Sequence, residues 1–183
     1  MDQPLETGKN LEVLLDEKRI AQRVRELGAQ ISADYRGRVP HLIGILKGAW
    51  VFLADLVRHL EVEVTLDFMS IQTYGSSTSS SGEVKITKDL DVSIQGRDVL
   101  VVEDILDTGR TFRFLQEVLL AHNPKTLKVV ALLDKTSRRV VPVRADYVGF
   151  PIPDVFVVGY GLDYSQKYRE LRDVRVLRSV PSL

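Results

Sequence analysis

One stretch of this 183-residue chain limits its possible folds more than any other. Asp98-Val-Leu-Val-Val102 is almost wholly apolar and runs straight into Glu103-Asp104-Ile-Leu-Asp107-Thr108-Gly109-Arg110-Thr111. An apolar run without alternation is the pattern of a strand buried on both faces, as in a parallel sheet covered by helices. Helical spacing follows at once, with Phe112, Leu115, Val118 and Leu119 on one side and Asn123-Pro124 as the stop. The unit is strand, polar loop, helix. In an open parallel sheet, ligands bind beyond the carboxyl ends of the strands, where this polar loop lies.

The same rhythm recurs along the chain. Ile20, Val24, Leu27, Ile31 and Tyr35 mark one face of a helix from Asp16 to Tyr35, with Gly37 as its stop signal. His41 to Leu46 reads as a second buried strand. Lys47-Gly48 then turns the chain into a helix carrying Trp50, Leu53, Leu56, Val57 and Leu60. Val62, Val64, Leu66 and Phe68 alternate and predict a half-buried strand. Gly75 to Gly82 is Ser-rich, with little to bury, and predicts a mobile loop between two antiparallel strands, since Val84 and Ile86 resume alternation. Further strands are expected at Val129–Leu133 and near 147–150, 156–159 and 174–177. Alternating strands and helices predict an α/β fold with a mostly parallel twisted sheet. One domain is expected over 1–183, with a small lobe from its last third.

The loop after Val102 suits a phosphate. A loop entering a helix N-terminus offers free backbone N–H groups and a positive dipole end. Gly109 allows close backbone approach, and Thr108 and Thr111 add hydroxyl donors. Carboxylates would repel that phosphate unless they bind sugar hydroxyls or a divalent cation bridging to further phosphates. Glu103 and Asp104 suit those roles, and Asp107 is left as a base. The ordinary alternative is a solvated acidic loop with an N-cap at Asp107 or Thr108.

Charge and composition narrow the field. Lys plus Arg equals Asp plus Glu, at 25 each, which gives no reason to expect a nucleic-acid or membrane-surface partner. Cysteine is absent, which removes disulfides, thiolate nucleophiles and Cys-ligated zinc. The first residues lack the apolar core of a secretory signal, and no apolar run approaches the roughly 20 residues of a membrane span. A cytoplasmic location is expected.

Val-Val-Glu103-Asp104-Ile-Leu-Asp107-Thr108-Gly109-Arg110-Thr111 resembles the phosphoribosyl-pyrophosphate (PRPP) signature of the type I phosphoribosyltransferases, in its hypoxanthine-guanine branch. Leu46-Lys47-Gly48-Ala49 resembles the family's pyrophosphate loop. Asp67-Phe68 through Gly82 resembles its flexible lid, about 73–84, with Thr73-Tyr74 in place of the common Ser-Tyr. Leu133-Asp-Lys135 and the stretch from Asp146 through Phe156, Val157 and Asp163 resemble its base-binding hood, about 135–178. The likeness covers roughly residues 10–178.

The resemblance implies a Mg²⁺-dependent purine salvage enzyme of the type I phosphoribosyltransferase fold that joins a 6-oxopurine to ribose 5-phosphate, acting as a homodimer or homotetramer. Thr108, Gly109, Arg110 and Thr111 would hold the 5-phosphate. Glu103 and Asp104 would hold the ribose hydroxyls, directly or through Mg²⁺, and Asp107 would take the proton from N7 of the base. Lys47, Gly48 and Arg169 would meet pyrophosphate, across a Lys47–Gly48 peptide that is often cis in the family. Lys135, a donor only, would favour O6 over an amino group. Phe156 would stack on the purine, and the Val157 backbone would meet its N1 edge. Asp163 would accept from the amine of guanine or bind a second Mg²⁺. Val155 stands where many relatives carry a polar residue.

Ordinary alternatives exist for several of these. Lys47 also fits a surface lysine, Lys135 part of a basic turn, Phe156 core, and Arg169 a partner of Glu170 or Asp173. Another class of protein also fits the PRPP motif, a nucleic-acid-binding regulator with weak or no catalysis. Against it stand the neutral charge, Asp107 and Lys135. Adenine and orotate enzymes share the fold but typically lack the Asp107 and Lys135 positions.

Overall fold

The computed structural model describes residues 11–74 and 83–178. The helix expected after Asp16 is α1, Glu17–Asp34. Asp16 caps it, its Oδ1 accepting from the Arg19 N–H at 2.9 Å. Its apolar stripe, Ile20, Val24, Leu27, Ile31 and Tyr35, is buried throughout, so burial of one face rather than propensity holds this helix in place.

A six-stranded sheet forms the centre. Its strands are β2 (His41–Leu46), β3 (Thr65–Tyr74), β4 (Glu83–Lys88), β5 (Asp98–Leu106), β6 (Thr126–Asp134) and β7 (Tyr147–Pro151), in the order β4-β3-β2-β5-β6-β7. The pairs among β3, β2, β5, β6 and β7 are parallel. Only β4 runs antiparallel, against β3, as the sequence predicts. Successive side chains of the central strands enter opposite cores. Leu42, Leu100, Val102, Val130 and Leu132 pack with α1 and α2 (Trp50–Val57). Ile43, Ile45, Val99, Val101, Val129 and Ala131 pack with Phe112, Leu115 and Leu119 of α3 (Arg110–Ala121). Both faces are covered, which explains why β2 and β5 read as unbroken apolar runs.

The remaining strands make a second sheet. β1 (Leu11–Leu15), β8 (Val157–Val158) and β9 (Val174–Leu177) are arranged β1-β9-β8, all antiparallel. β1 has no counterpart in the sequence reading, which starts its elements at Asp16.

Two expectations need correction. The strand expected from Val62 begins at Thr65, and its buried positions are Asp67 and Met69, while Leu66 is exposed. Asp67 tolerates burial because its oxygens accept from the Phe68 and Asp91 N–H groups, both at 2.7 Å, with the Lys88 ammonium at 3.5 Å. Burial alone would raise its carboxyl pKa, but these partners hold it below the usual value. Trp50, placed on the buried side of its helix by spacing, is half exposed. The Ser-rich segment expected to be a mobile loop falls at 75–82, outside the described residues.

Asp16→Ala should lower stability by about 1 kcal/mol through the lost cap, and Asp16→Asn by much less, because an amide oxygen caps equally well. Chemical denaturation of both variants checks this, and equal losses would contradict it.

Candidate active site

The carboxyl end of β5 carries Glu103 and Asp104 inside the strand, not in the loop after it. Glu103 is buried, and burial together with the Asp104 charge pushes its pKa well above that of an ordinary glutamate. Burial likewise pushes Asp104 up to about 6, against the hydrogen bond from the Ile105 N–H and the positive field of Arg169. Its Oδ1 accepts from the Ile105 N–H at 2.7 Å. Two adjacent carboxyls with raised pKa values are a site short of positive charge. That suits Mg²⁺, which takes one or two protein carboxylates and fills its shell with water and substrate phosphates. Among the described residues, no group of three or more His, Cys, Asp or Glu side chains forms a metal cage.

Glu103, Asp104, Asp107, Thr108, Gly109 and Thr111 line one cavity of about 250 Å³. Gly109 takes φ of +84° and sits at the N-cap of α3. A side chain there would meet Val143 and Val141 at 2.5 and 2.9 Å, so both conformation and space call for glycine. Gly109 has no side chain with which to cap α3 and no acid lies in its first turn; the Thr108 hydroxyl accepts from the Arg110 N–H at 3.4 Å. Arg110 is exposed.

Asp107 carries a cluster of cations. Its Oδ2 lies 3.5 Å from the Lys135 Nζ, and its Oδ1 lies 3.3 Å from the Arg138 Nε. Oδ1 is buried and takes no hydrogen bond among the described residues. Lys135 is only 4% exposed, so it is not part of a solvated basic turn. Its own N–H donates to the Leu106 carbonyl at 2.9 Å, tying β6 to the loop that holds Asp107. Arg139 donates to the Asp107 carbonyl at 2.9 Å and pairs with Asp134. Arg138 reaches Asp154 at 3.5 Å, two residues before Phe156. Arg138 and Arg139 were not among the residues singled out from sequence. The run Lys-Thr-Ser-Arg-Arg was visible there, but nothing in it said which cation would turn inward.

Phe156 is 42% exposed and meets Tyr164 edge-on at 5.8 Å. It is a platform at the surface and not core. Val157 is buried and opens β8, and Val155 packs against the core.

Lys47, Gly48 and Arg169 come together on the far side of Asp104. Asp104 Oδ2 occupies the space that a Gly48 side chain would fill. The cis peptide here is Leu46–Lys47, one position earlier than the Lys47–Gly48 bond the resemblance implied. Lys47 is exposed, and its Nζ donates to the Gln166 Oε1 at 3.2 Å. Arg169 pairs with Asp163 at 2.6 Å, not with Glu170 or Asp173. The other Asp163 oxygen accepts from the Gln166 N–H at 2.8 Å. Each oxygen of Asp163 thus has one partner, and each keeps a lone pair for a further one. Thr73 and Tyr74 end β3, and the lid expected beyond them lies outside the described residues at 75–82.

Comparison with known proteins agrees with this geometry. Residues 10–165 match the phosphoribosyl transferase domain. The chain is 50% identical over 166 residues to the hypoxanthine-guanine phosphoribosyltransferase of Bacillus subtilis, covering 91% of this chain and 92% of that protein. A hypoxanthine phosphoribosyltransferase structure from Staphylococcus aureus superimposes with a TM-score of 0.89 at 44% identity, covering 96% of each chain. A hypoxanthine-guanine phosphoribosyltransferase from Bacillus anthracis, with HEPES in its active site, gives 0.87 at 46% identity, covering 92% of this chain and 99% of the other. The match over residues 10–165 defines the class, a phosphoribosyl transferase domain. The chain belongs to the phosphoribosyltransferase family, among the hypoxanthine-guanine phosphoribosyltransferases.

An acid with a raised folded-state pKa costs stability once pH passes its unfolded value, and the cost grows until the folded value is reached. For Asp104 that window runs from about pH 4 to about 6. In metal-free protein, Asp104→Asn should therefore leave the unfolding midpoint unchanged near pH 4 and raise it at pH 7.5. Thermal unfolding across that range checks this, and a destabilised variant at pH 7.5 would contradict it.

Proposed function

We propose that the chain transfers the 5-phosphoribosyl group of PRPP to N9 of hypoxanthine or guanine, releasing pyrophosphate and giving IMP or GMP in purine salvage. The observation that carries this reading is the Lys135–Asp107 pair, a buried ammonium 3.5 Å from a carboxylate. A 6-oxopurine presents an acceptor, O6, next to a donor, N7–H. Adenine presents an amino group where O6 would be, and a lysine cannot accept from it. A donor and an acceptor side by side therefore select the oxo base, and hydrogen-bond discrimination of this kind reaches about 10⁴-fold or more.

In the reaction, N9 attacks C1 of the ribose as the bond from C1 to pyrophosphate oxygen breaks. Asp107 accepts the N7 proton, so the base bonds as its neutral nucleotide. Thr108, Gly109, Arg110 and Thr111 hold the 5-phosphate through backbone N–H groups at the start of α3 and the Thr108 and Thr111 hydroxyls. Glu103 and Asp104 hold the ribose hydroxyls and the cation. Lys47, the Gly48 turn and Arg169 receive pyrophosphate, and Arg169 must leave Asp163 or share it to do so. Phe156 stacks on the purine, while the backbones of Val157 and Asp163 meet its N1 edge and exocyclic amine. Bound Mg²⁺ would neutralise the charge that develops on the leaving pyrophosphate.

The reading extends to one phosphoribosyltransferase domain over 1–183, with Thr73 and Tyr74 at the base of a lid about 73–84 and hood elements about 135–178. It also extends to a cytoplasmic homodimer or homotetramer. Among the described residues, no helix is long and apolar enough to cross a membrane.

Asp107→Asn should keep PRPP affinity within a few-fold and lower kcat by about 10²–10⁴, the range of a lost general base. Lys135→Ala should weaken hypoxanthine far more than PRPP. Steady-state kinetics with both substrates varied tests the pair. Unchanged turnover removes Asp107 from the mechanism, and equal loss of both affinities removes Lys135 from base reading.

A further inference from the structure

The turn that follows β8 is built against conformational preference. Gly159, Tyr160 and Gly161 take φ of +97°, +50° and +98° in succession. Glycine adopts this region freely, but a tyrosine does so only where its surroundings over-determine it. Tyr160 is held in three ways. Its N–H donates to the Leu171 carbonyl at 2.8 Å, its ring is buried, and its hydroxyl donates to the Asp55 Oδ2 at 2.6 Å. Asp55 lies on α2, the helix that begins two residues after Gly48.

The next residue shows what this turn supports. Gly161 is pressed against the Gly48 carbonyl, which would lie 2.2 Å from a Cβ at 161. Gly48 is pressed in turn against the Asp104 carboxylate. The Gly161 carbonyl accepts from the Arg169 Nη1 at 2.7 Å, and its N–H donates to the Arg169 carbonyl at 3.0 Å. The Asp55–Tyr160 hydrogen bond therefore closes a ring: Gly48, α2, Asp55, Tyr160, Gly161 and back to Gly48, with Arg169 fastened to it.

Resting on the reading of Lys47, Gly48 and Arg169 as the pyrophosphate end of the site, we propose that Asp55 and Tyr160 are positioning residues for PRPP. They touch no substrate. Their hydrogen bond holds the strained turn whose Gly161 backs the Lys47–Gly48 peptide and orients Arg169. The base side of the site, at Lys135, Asp107 and Phe156, stands outside this ring. A loss here should weaken PRPP and pyrophosphate while sparing the base, which a general loss of folding would not do.

The test is steady-state kinetics on the full chain, with pyrophosphate as product inhibitor and melting midpoints read alongside. Tyr160→Phe and Asp55→Leu should each raise the KM for PRPP and the Ki for pyrophosphate about tenfold, equivalent to about 1.4 kcal/mol, as befits a lost bond to a charged acceptor. The KM for hypoxanthine should stay within about twofold, since double-sided loss is not expected for sites that share no partner. Asp55→Asn keeps an oxygen acceptor and should restore most of both constants. Lys47→Ala serves as the control. If it shifts both constants and Tyr160→Phe shifts neither, the proposal is overturned and the reading of the turn survives. If Lys47→Ala shifts neither, that reading falls and the proposal with it.

Discussion

Two backbones and one carboxylate share a space with no room for a side chain. Asp104 Oδ2 fills the place of a Gly48 Cβ, and Gly48 in turn fills the place of a Gly161 Cβ. This contact brings the carboxyl ends of β2 and β5 and the turn after β8 to one point, although they lie more than fifty residues apart in the chain. A side chain at either glycine would push the acid pair and the turn apart. The parallel pairing of β2 with β5, in register from His41–Val99 to Gly44–Val102, delivers both turns to the same edge.

On the other side of the acids, the chemistry depends on a balance of charge around Asp107. One carboxylate faces Lys135 and Arg138, and its backbone carbonyl is held by Arg139. Lys135 is buried with that carboxylate as its counter-charge, which limits the cost of desolvating an ammonium. On the proposed reading, the same pair offers a donor and an acceptor to the edge of a purine. Arg138 carries the connection on to Asp154 and so to the segment holding Phe156. Under the proposed function, base reading and proton transfer are built from neighbouring atoms.

Where the sequence reading succeeded, local pattern and burial agreed. All five apolar positions named for α1 are buried, and the apolar runs became β2, β5 and β6. The site's first half was also legible, since Glu103 to Thr111 is contiguous and its order carries its chemistry. β3 starts later than its alternation suggests and is covered on both faces: Phe68 packs on one core and Met69 on the other, while Asp67 is buried by partners from Asp91 and Lys88, more than twenty residues away. β1 went unread because its pairing with β9 joins the two ends of the described chain. Arg169 pairs with Asp163, fixed by a turn with left-handed Ser165, Gln166 and Tyr168 that no residue pattern announces. The contact between Gly48, Asp104 and Gly161 is likewise a tertiary fact.

The most direct measurement is nucleotide formation by the purified protein with PRPP and Mg²⁺, offered hypoxanthine, guanine, xanthine and adenine in turn. Product with hypoxanthine or guanine and none with adenine is the expected result, because Lys135 beside Asp107 matches O6 next to N7–H. Turnover of adenine at a comparable rate, or no product from protein that still binds PRPP, would contradict it.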